Sequence, residues 1–122
     1  MKIAMANDHA GTKLKNEIKA YLESEGHEVK DFGTYDEESC DLSDFVYPAA
    51  LAVVCQDLFC AALARQHNDS NVLCLGGKII GPAIAMEIVK TWMHTDPLTA
   101  EKYRRRVKKV QEIDAKHCVA VK

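Results

Sequence analysis

The spacing of apolar residues along this chain changes period several times, and each change marks the border of an element. Lys2 to Ala6 is a short apolar run that opens into Asn7-Asp8-His9-Ala10-Gly11, the pattern of a strand ending in a polar turn. Leu14, Ile18, Tyr21 and Leu22 follow at helical spacing with charged residues between them. Gly26 predicts the stop, since glycine ends a helix cheaply with a positive φ. Glu28 to Phe32 alternates as a second strand and ends at Gly33-Thr34-Tyr35. Strand, helix and strand within this length make a βαβ unit, whose right-handed crossover sets the two strands parallel.

The polar stretch from Asp36 to Asp44 reads as a loop, with Asp44 as N-cap of a helix running to about Val53 and Pro48 in its first turn. Ala52-Val53-Val54-Cys55 is strand-like, and Asp57 is placed to cap a helix containing Phe59, Leu63 and Ala64. Asn71 to Leu75 is a continuous apolar run closed by Gly76-Gly77, as buried parallel strands are. Ile79 to Met93 predicts an apolar-rich helix with Pro82 near its start, and Leu98 to about Lys116 a long, strongly charged final helix. The alternation predicts an α/β fold, an open parallel sheet with helices on both faces, in one domain spanning all 122 residues. One place resists. Near Leu51–Cys55 a helix must become a strand with no turn residue between, where sheets of this class need a connection.

Composition narrows the class further. A hydrophobic fraction of 48% and a charged fraction of 28% are those of an ordinary globular protein. The net charge of −2 argues against the whole molecule being a polyanion binder, whatever one helix does locally. No apolar run approaches the length of a membrane span, and Met1 to Met5 does not read as a secretory signal. The five cysteines (Cys40, Cys55, Cys60, Cys74, Cys118) are odd in number, and no Cys-x-x-Cys pair occurs. Reduced thiols in a cytoplasm are expected, rather than a disulfide framework or a zinc site.

Two segments carry candidate chemistry. Asp8-His9 follows the first strand and precedes a helix, whose N-terminal N–H groups suit an oxygen-rich or anionic ligand. The plainer reading makes Asp8 an N-cap and His9 a surface residue. Arg65-Gln66-His67-Asn68-Asp69 places an imidazole, which exchanges protons near neutral pH, beside a carboxamide able to hydrogen-bond an oxyanion. A polar turn between helix and strand would use Asn and Asp for reasons of its own. Lys102 and Arg106, four apart, share a helical face and can reach one phosphate, and Lys78 adds a cation after Gly76-Gly77. Such charge runs are also ordinary solvated faces, and a nucleic-acid patch would bring more aromatics than Tyr103. His27, His94 and His117 read as surface residues, and the histidines show no metal-ligand spacing.

Taken in order, Lys2-Ile3-Ala4 through Asn7-Asp8-His9-Ala10-Gly11, Asp31-Phe32-Gly33-Thr34-Tyr35, Arg65-Gln66-His67-Asn68-Asp69 and Gly76-Gly77-Lys78-Ile79-Ile80-Gly81 resemble one family. It is that of ribose-5-phosphate isomerase B and the galactose-6-phosphate isomerase subunits. The resemblance implies a Rossmann-like three-layer αβα sandwich, a C-terminal helix packing on a partner subunit, and a homodimer or homotetramer with shared sites. It also implies interconversion of aldose and ketose phosphates through ring opening and a cis-enediolate, without metal or cofactor. By motif, His67 and Asp8 would be catalytic, His67 in ring opening. Asp8 and His9 would hold the substrate near the sheet edge, and Asn68 would bind substrate oxygens. Lys78, Lys102 and Arg106 would be the phosphate grip, Lys102 and Lys78 standing where the family has arginine. Leu42 replaces a family tyrosine near the sugar. The family also has a further strand, a glycine-rich loop bearing the enolising base, and a helix. That unit of somewhat under 30 residues is missing near Val53, where the reading of the chain already stumbled. The implied function is therefore an aldose–ketose isomerase of a pentose, tetrose or hexose phosphate. The alternative is a truncated homologue that binds or assembles without turnover.

Overall fold

The computed structural model describes residues 1–35 and 52–117, apart from the side chains of 114, 116 and 117. The expected loop and Asp44-capped helix, and with them Cys40, Leu42 and Cys118, lie outside the described residues. In chain order the elements are β1 (Lys2–Met5), a 3-10 turn (His9–Gly11), α1 (Thr12–Ser24), β2 (Glu28–Asp31), β3 (Ala52–Val54), α2 (Leu58–Asn68), β4 (Val72–Cys74), α3 (Pro82–His94) and α4 (Glu101–His117). The chain divides into two compact units, one of residues 1–48 and 75–86, the other of 49–74 and 87–122.

In the first unit β1 and β2 pair in parallel, Lys2 opposite Glu28 through Met5 opposite Asp31. The connecting α1 buries Leu14, Ile18 and Leu22, so the four-residue spacing read from the sequence is the face that meets the core. Gly26 closes that helix with φ +83°, a conformation that costs other residues a Cβ clash. Lys15 departs from the pattern. Its side chain is 3% exposed and that of Asp31 is 8% exposed. Lys15 Nζ donates to Asp31 Oδ1 at 2.8 Å and to Thr34 O at 2.7 Å, while Asp31 Oδ1 also accepts the Gly33 N–H at 2.9 Å. Burial works against the ionised Asp31, but the Lys15 and Gly33 hydrogen bonds and the charges of Lys15 and Lys19 outweigh it. The carboxyl is held below its ordinary range.

In the second unit β3 and β4 pair in parallel, Ala52 opposite Val72 through Val54 opposite Cys74. Asp57 caps α2 as expected, its Oδ1 accepting the Cys60 N–H at 2.7 Å. The buried face of α2 is Ala61 and Ala64; Cys55, Ile88 and Val89 are the other buried apolar residues among those described in this unit, whereas Phe59 is exposed. Cys55, Cys60 and Cys74 are free thiols. Burial, and the nearby Cys60, Asp57 and Cys74, push the Cys55 thiol up, leaving it a poor nucleophile.

Several boundaries differ from the sequence expectation. The apolar run at Asn71–Leu75 forms a strand only over Val72–Cys74 and is half-buried. Helix α3 starts at Pro82 rather than Ile79, because Ile79 and Ile80 donate their N–H groups to Gly76 O in a turn, at 2.9 and 3.0 Å. Helix α4 starts at Glu101 rather than Leu98, since Leu98 donates its N–H to Gln66 O at 2.9 Å. The described strands form two parallel pairs rather than one continuous ladder. Among the described residues no helix is long and apolar enough to cross a membrane.

Candidate functional site

In the first unit the turn after β1 is built on Asp8, whose Oδ1 accepts the Ala10 N–H at 3.1 Å and so caps the 3-10 turn. The capping reading of Asp8 is thus realised in the fold, and it fixes the backbone that carries His9. Asn7 Nδ2 donates to Thr12 Oγ1 at 3.0 Å, which ties the turn to α1. Two buried atoms here, His9 Nδ1 and Asn7 Oδ1, have no hydrogen-bond partner among the described residues. Buried polar atoms are rarely left so, and each is available to a ligand hydroxyl. Gly77 packs against this turn. A Cβ there would lie 3.0 Å from Gly11 Cα and 3.3 Å from Ala10 O, a contact that the backbone would have to yield to accommodate. That contact brings the Gly76-Gly77-Lys78 segment against the Asp8-His9 turn, with the Lys78 side chain exposed.

In the second unit His67 and Asn68 are the last residues of α2, and Asp69 follows in the left-handed region at φ +48°. Asn and Asp tolerate that conformation best, so Asp69 accounts for the turn and leaves His67 and Asn68 free of that duty. Arg65 clamps the turn, its guanidinium donating to Asp69 Oδ1 and Ser70 O, both at 2.7 Å, while lying 5.2 Å from the Trp92 ring. Trp92 Nε1 donates to Ser70 Oγ at 2.9 Å and closes the network. The His67 imidazole stacks on Tyr103 of α4, with ring centres 4.7 Å apart and planes 12° from parallel. Lys102 Nζ lies 4.8 Å from the centre of the same Tyr103 ring, and Arg106 Cζ 5.9 Å. An open pocket of about 230 Å³ adjoins this cluster, lined by Gln66, His67, Leu98, Tyr103, Arg104 and Lys108 among others.

The comparisons with known proteins bear on what this arrangement is. The family model described as Ribose/Galactose Isomerase matches residues 3–54 and 48–110, nearly the whole chain. The chain belongs to the ribose/galactose isomerase family. Ribose-5-phosphate isomerase B of Escherichia coli K12 is 31% identical, with 93% of this chain and 96% of that protein covered. The 4-deoxy-4-sulfo-D-erythrose isomerase of Clostridium sp. strain MSTE9 is 27% identical, covering 78% and 80% respectively. Among solved structures, ribose-5-phosphate isomerase B of Clostridium thermocellum gives a TM-score of 0.86 at 32% identity, over 96% of this chain and 99% of that one. This family member is accordingly Rossmann-like α/β. It is also short. The alignment to the E. coli enzyme runs over 144 positions but draws on only 93% of this chain, about 113 of its 122 residues, so roughly 30 positions have no residue here. The family model matches in two stretches that meet at residues 48–54, which puts the break where the sequence lacked a connection.

Of the residues expected to act, the second unit gathers His67, Lys102 and Arg106 about one ring, with Asn68 next in the chain to His67. The first unit gathers Asp8 and His9 in one turn, with Lys78 in the segment packed against it. Sequence reasoning passed over two residues. Tyr103, the one Phe, Tyr or Trp of α4, was legible as a lone aromatic between Lys102 and Arg106. Arg65 stood within the quoted motif, yet its clamp on Asp69 and Ser70 depends on a turn that only the fold shows. Among the described residues no group of three or more His, Cys, Asp or Glu side chains is placed to hold a metal ion.

Proposed function

We propose that the chain is an aldose–ketose isomerase acting on ribose 5-phosphate or a related pentose, tetrose or hexose phosphate. The convergence of His67, Lys102 and Arg106 about Tyr103 carries this reading. A proton carrier beside two cations suits a ligand with a phosphate at one end and a ring to open at the other. Family membership and the sugar-phosphate isomerases among its relatives support the same substrate class.

In ring opening the C1–O bond to the ring oxygen breaks as a proton passes from the C1 hydroxyl to that oxygen, with His67 as the acid or base that carries it. Asn68 hydrogen-bonds the oxygen on which charge develops. Isomerisation then needs a base, which the family carries on the missing loop, to move the C2 proton to C1 through a cis-enediolate, while the C2 hydroxyl hydrogen passes to O1. No atom or electron is gained or lost overall, so the chemistry needs no redox cofactor, and the scheme uses no metal. Asp8 takes the second catalytic role, and with His9 it holds the sugar. Lys78, Lys102 and Arg106 bind the phosphate. The chain acts as a single isomerase domain within a cytoplasmic homodimer or homotetramer, α4 packing on a partner subunit and the sites shared between subunits. Nucleic acid and membrane have no part in this scheme.

The roughly 30 unmatched positions favour a second reading, a sugar-phosphate binder without turnover. Assay of ribose 5-phosphate and related aldose phosphates separates the two. Turnover supports the isomerase, and saturable binding without turnover supports the binder.

A further inference from the structure

We propose that Tyr103 is a positioning residue, its ring setting the plane of the His67 imidazole and holding the Lys102 and Arg106 cations as one anion grip. The inference rests on the reading of this cluster as a phosphate and proton-transfer site, and goes beyond it by naming what assembles the cluster. His67 ends α2 and the two cations lie on α4, so a common partner is needed to fix their relative geometry. One ring supplies it. The imidazole stacks on it at 4.7 Å and within 12° of parallel, a geometry that restrains both position and plane.

Lys102 and Arg106 are long side chains on an exposed helical face, and alone they would sample many rotamers. Their approach to the Tyr103 ring, at 4.8 and 5.9 Å, ties both cations to the ring that also holds the imidazole. They need not contact each other, and their mutual repulsion is relieved when a dianion arrives. A phosphate monoester of a small polyol is the ligand class that fits, because its dianionic end meets both cations while a neutral oxygen faces the imidazole. The phenol hydroxyl has no part in the argument. The ring does.

That distinction supplies the test. Inorganic phosphate is titrated calorimetrically into the full-length wild type, Tyr103→Phe and Tyr103→Leu, with the imidazole proton resonances followed by NMR. Tyr103→Phe is expected to match the wild type, with phosphate affinity within about twofold and the ring-current displacement of the His67 resonances intact. Tyr103→Leu is expected to keep the far-ultraviolet spectrum of the wild type, bind phosphate about tenfold more weakly and lose that displacement. If Tyr103→Leu does not fold, Tyr103→Gln carries the same comparison, being polar and lacking a π face.

Wild-type affinity in the leucine or glutamine variant overturns the proposal, as does a phenylalanine variant as weak as leucine, which would assign the role to the hydroxyl. Absence of phosphate binding by the wild type also overturns it. Absence of isomerisation with these binding differences intact removes the enzymatic reading and leaves the positioning role supported.

Discussion

Lys15 and Asp31 show how a single buried pair supports the first unit. Both are under a tenth exposed, and their hydrogen bonds account for the buried ammonium and carboxylate. Replacing Asp31 by Asn leaves the Lys15 charge without its counter-ion, and a loss of about 3–5 kcal/mol in urea unfolding is expected. The carboxyl is held below its unfolded value, so its contribution is complete above that value, roughly pH 4, and fades as pH falls through the lower folded one. Wild-type stability should therefore drop with acidification below about pH 4 in a step that Asp31→Asn lacks. Equal slopes in the two proteins would contradict the assignment. Gly77 gives a second test, since a Cβ there would meet backbone of the His9–Gly11 turn. Gly77→Ala is expected to cost about 1–3 kcal/mol, and an unchanged urea midpoint would contradict the packing.

Among the elements, the βαβ unit was legible because Leu14, Ile18 and Leu22 recur every four residues and Gly26 stands where the chain must reverse. The α2 cap was legible for a similar reason, Asp57 preceding the helix it closes. Periodicity could not show that Lys15 turns inward, since a lysine between apolar positions defaults to solvent until a buried carboxylate on another element is known. Nor could it show that α2 buries Ala61 and Ala64 and leaves Phe59 outside, because amphipathic spacing marks a face and not its partner. The candidate residues were legible as motifs. Tyr103 stood out only as a lone aromatic, and its role was not legible, because stacking on His67 joins two helices more than thirty residues apart in sequence. Arg65 belongs to this scale as well, tying the end of α2 to the start of β4. Arg65→Met should speed amide exchange at Ser70, whose N–H bonds Ala64 O, about tenfold while α1 stays protected. Exchange that rises equally throughout the chain would contradict a local clamp.

For the molecule as a whole, the family match breaks at residues 48–54, and the described strands form two pairs rather than one ladder. The break fits a chain shorter than its relatives by roughly 30 positions. Each unit also exposes large apolar side chains, Ile79 at 76% in the first and Phe59 at 73% in the second. Val54 and Leu58 are exposed beside Phe59 in the chain, and a contiguous apolar patch marks an interaction surface. Light scattering is expected to give a dimer or larger assembly, and a stable monomer at micromolar concentration would contradict this. The proton transfer proposed for His67 is what one assay reaches without intermediary. Ribose 5-phosphate is incubated with purified wild type and with His67→Asn, and ketose formation is followed. Turnover by the wild type is expected, with a loss of about a hundredfold or more in His67→Asn while the fold stays intact. Equal rates in the two proteins, or no conversion of this or any related aldose phosphate by the wild type, would contradict it.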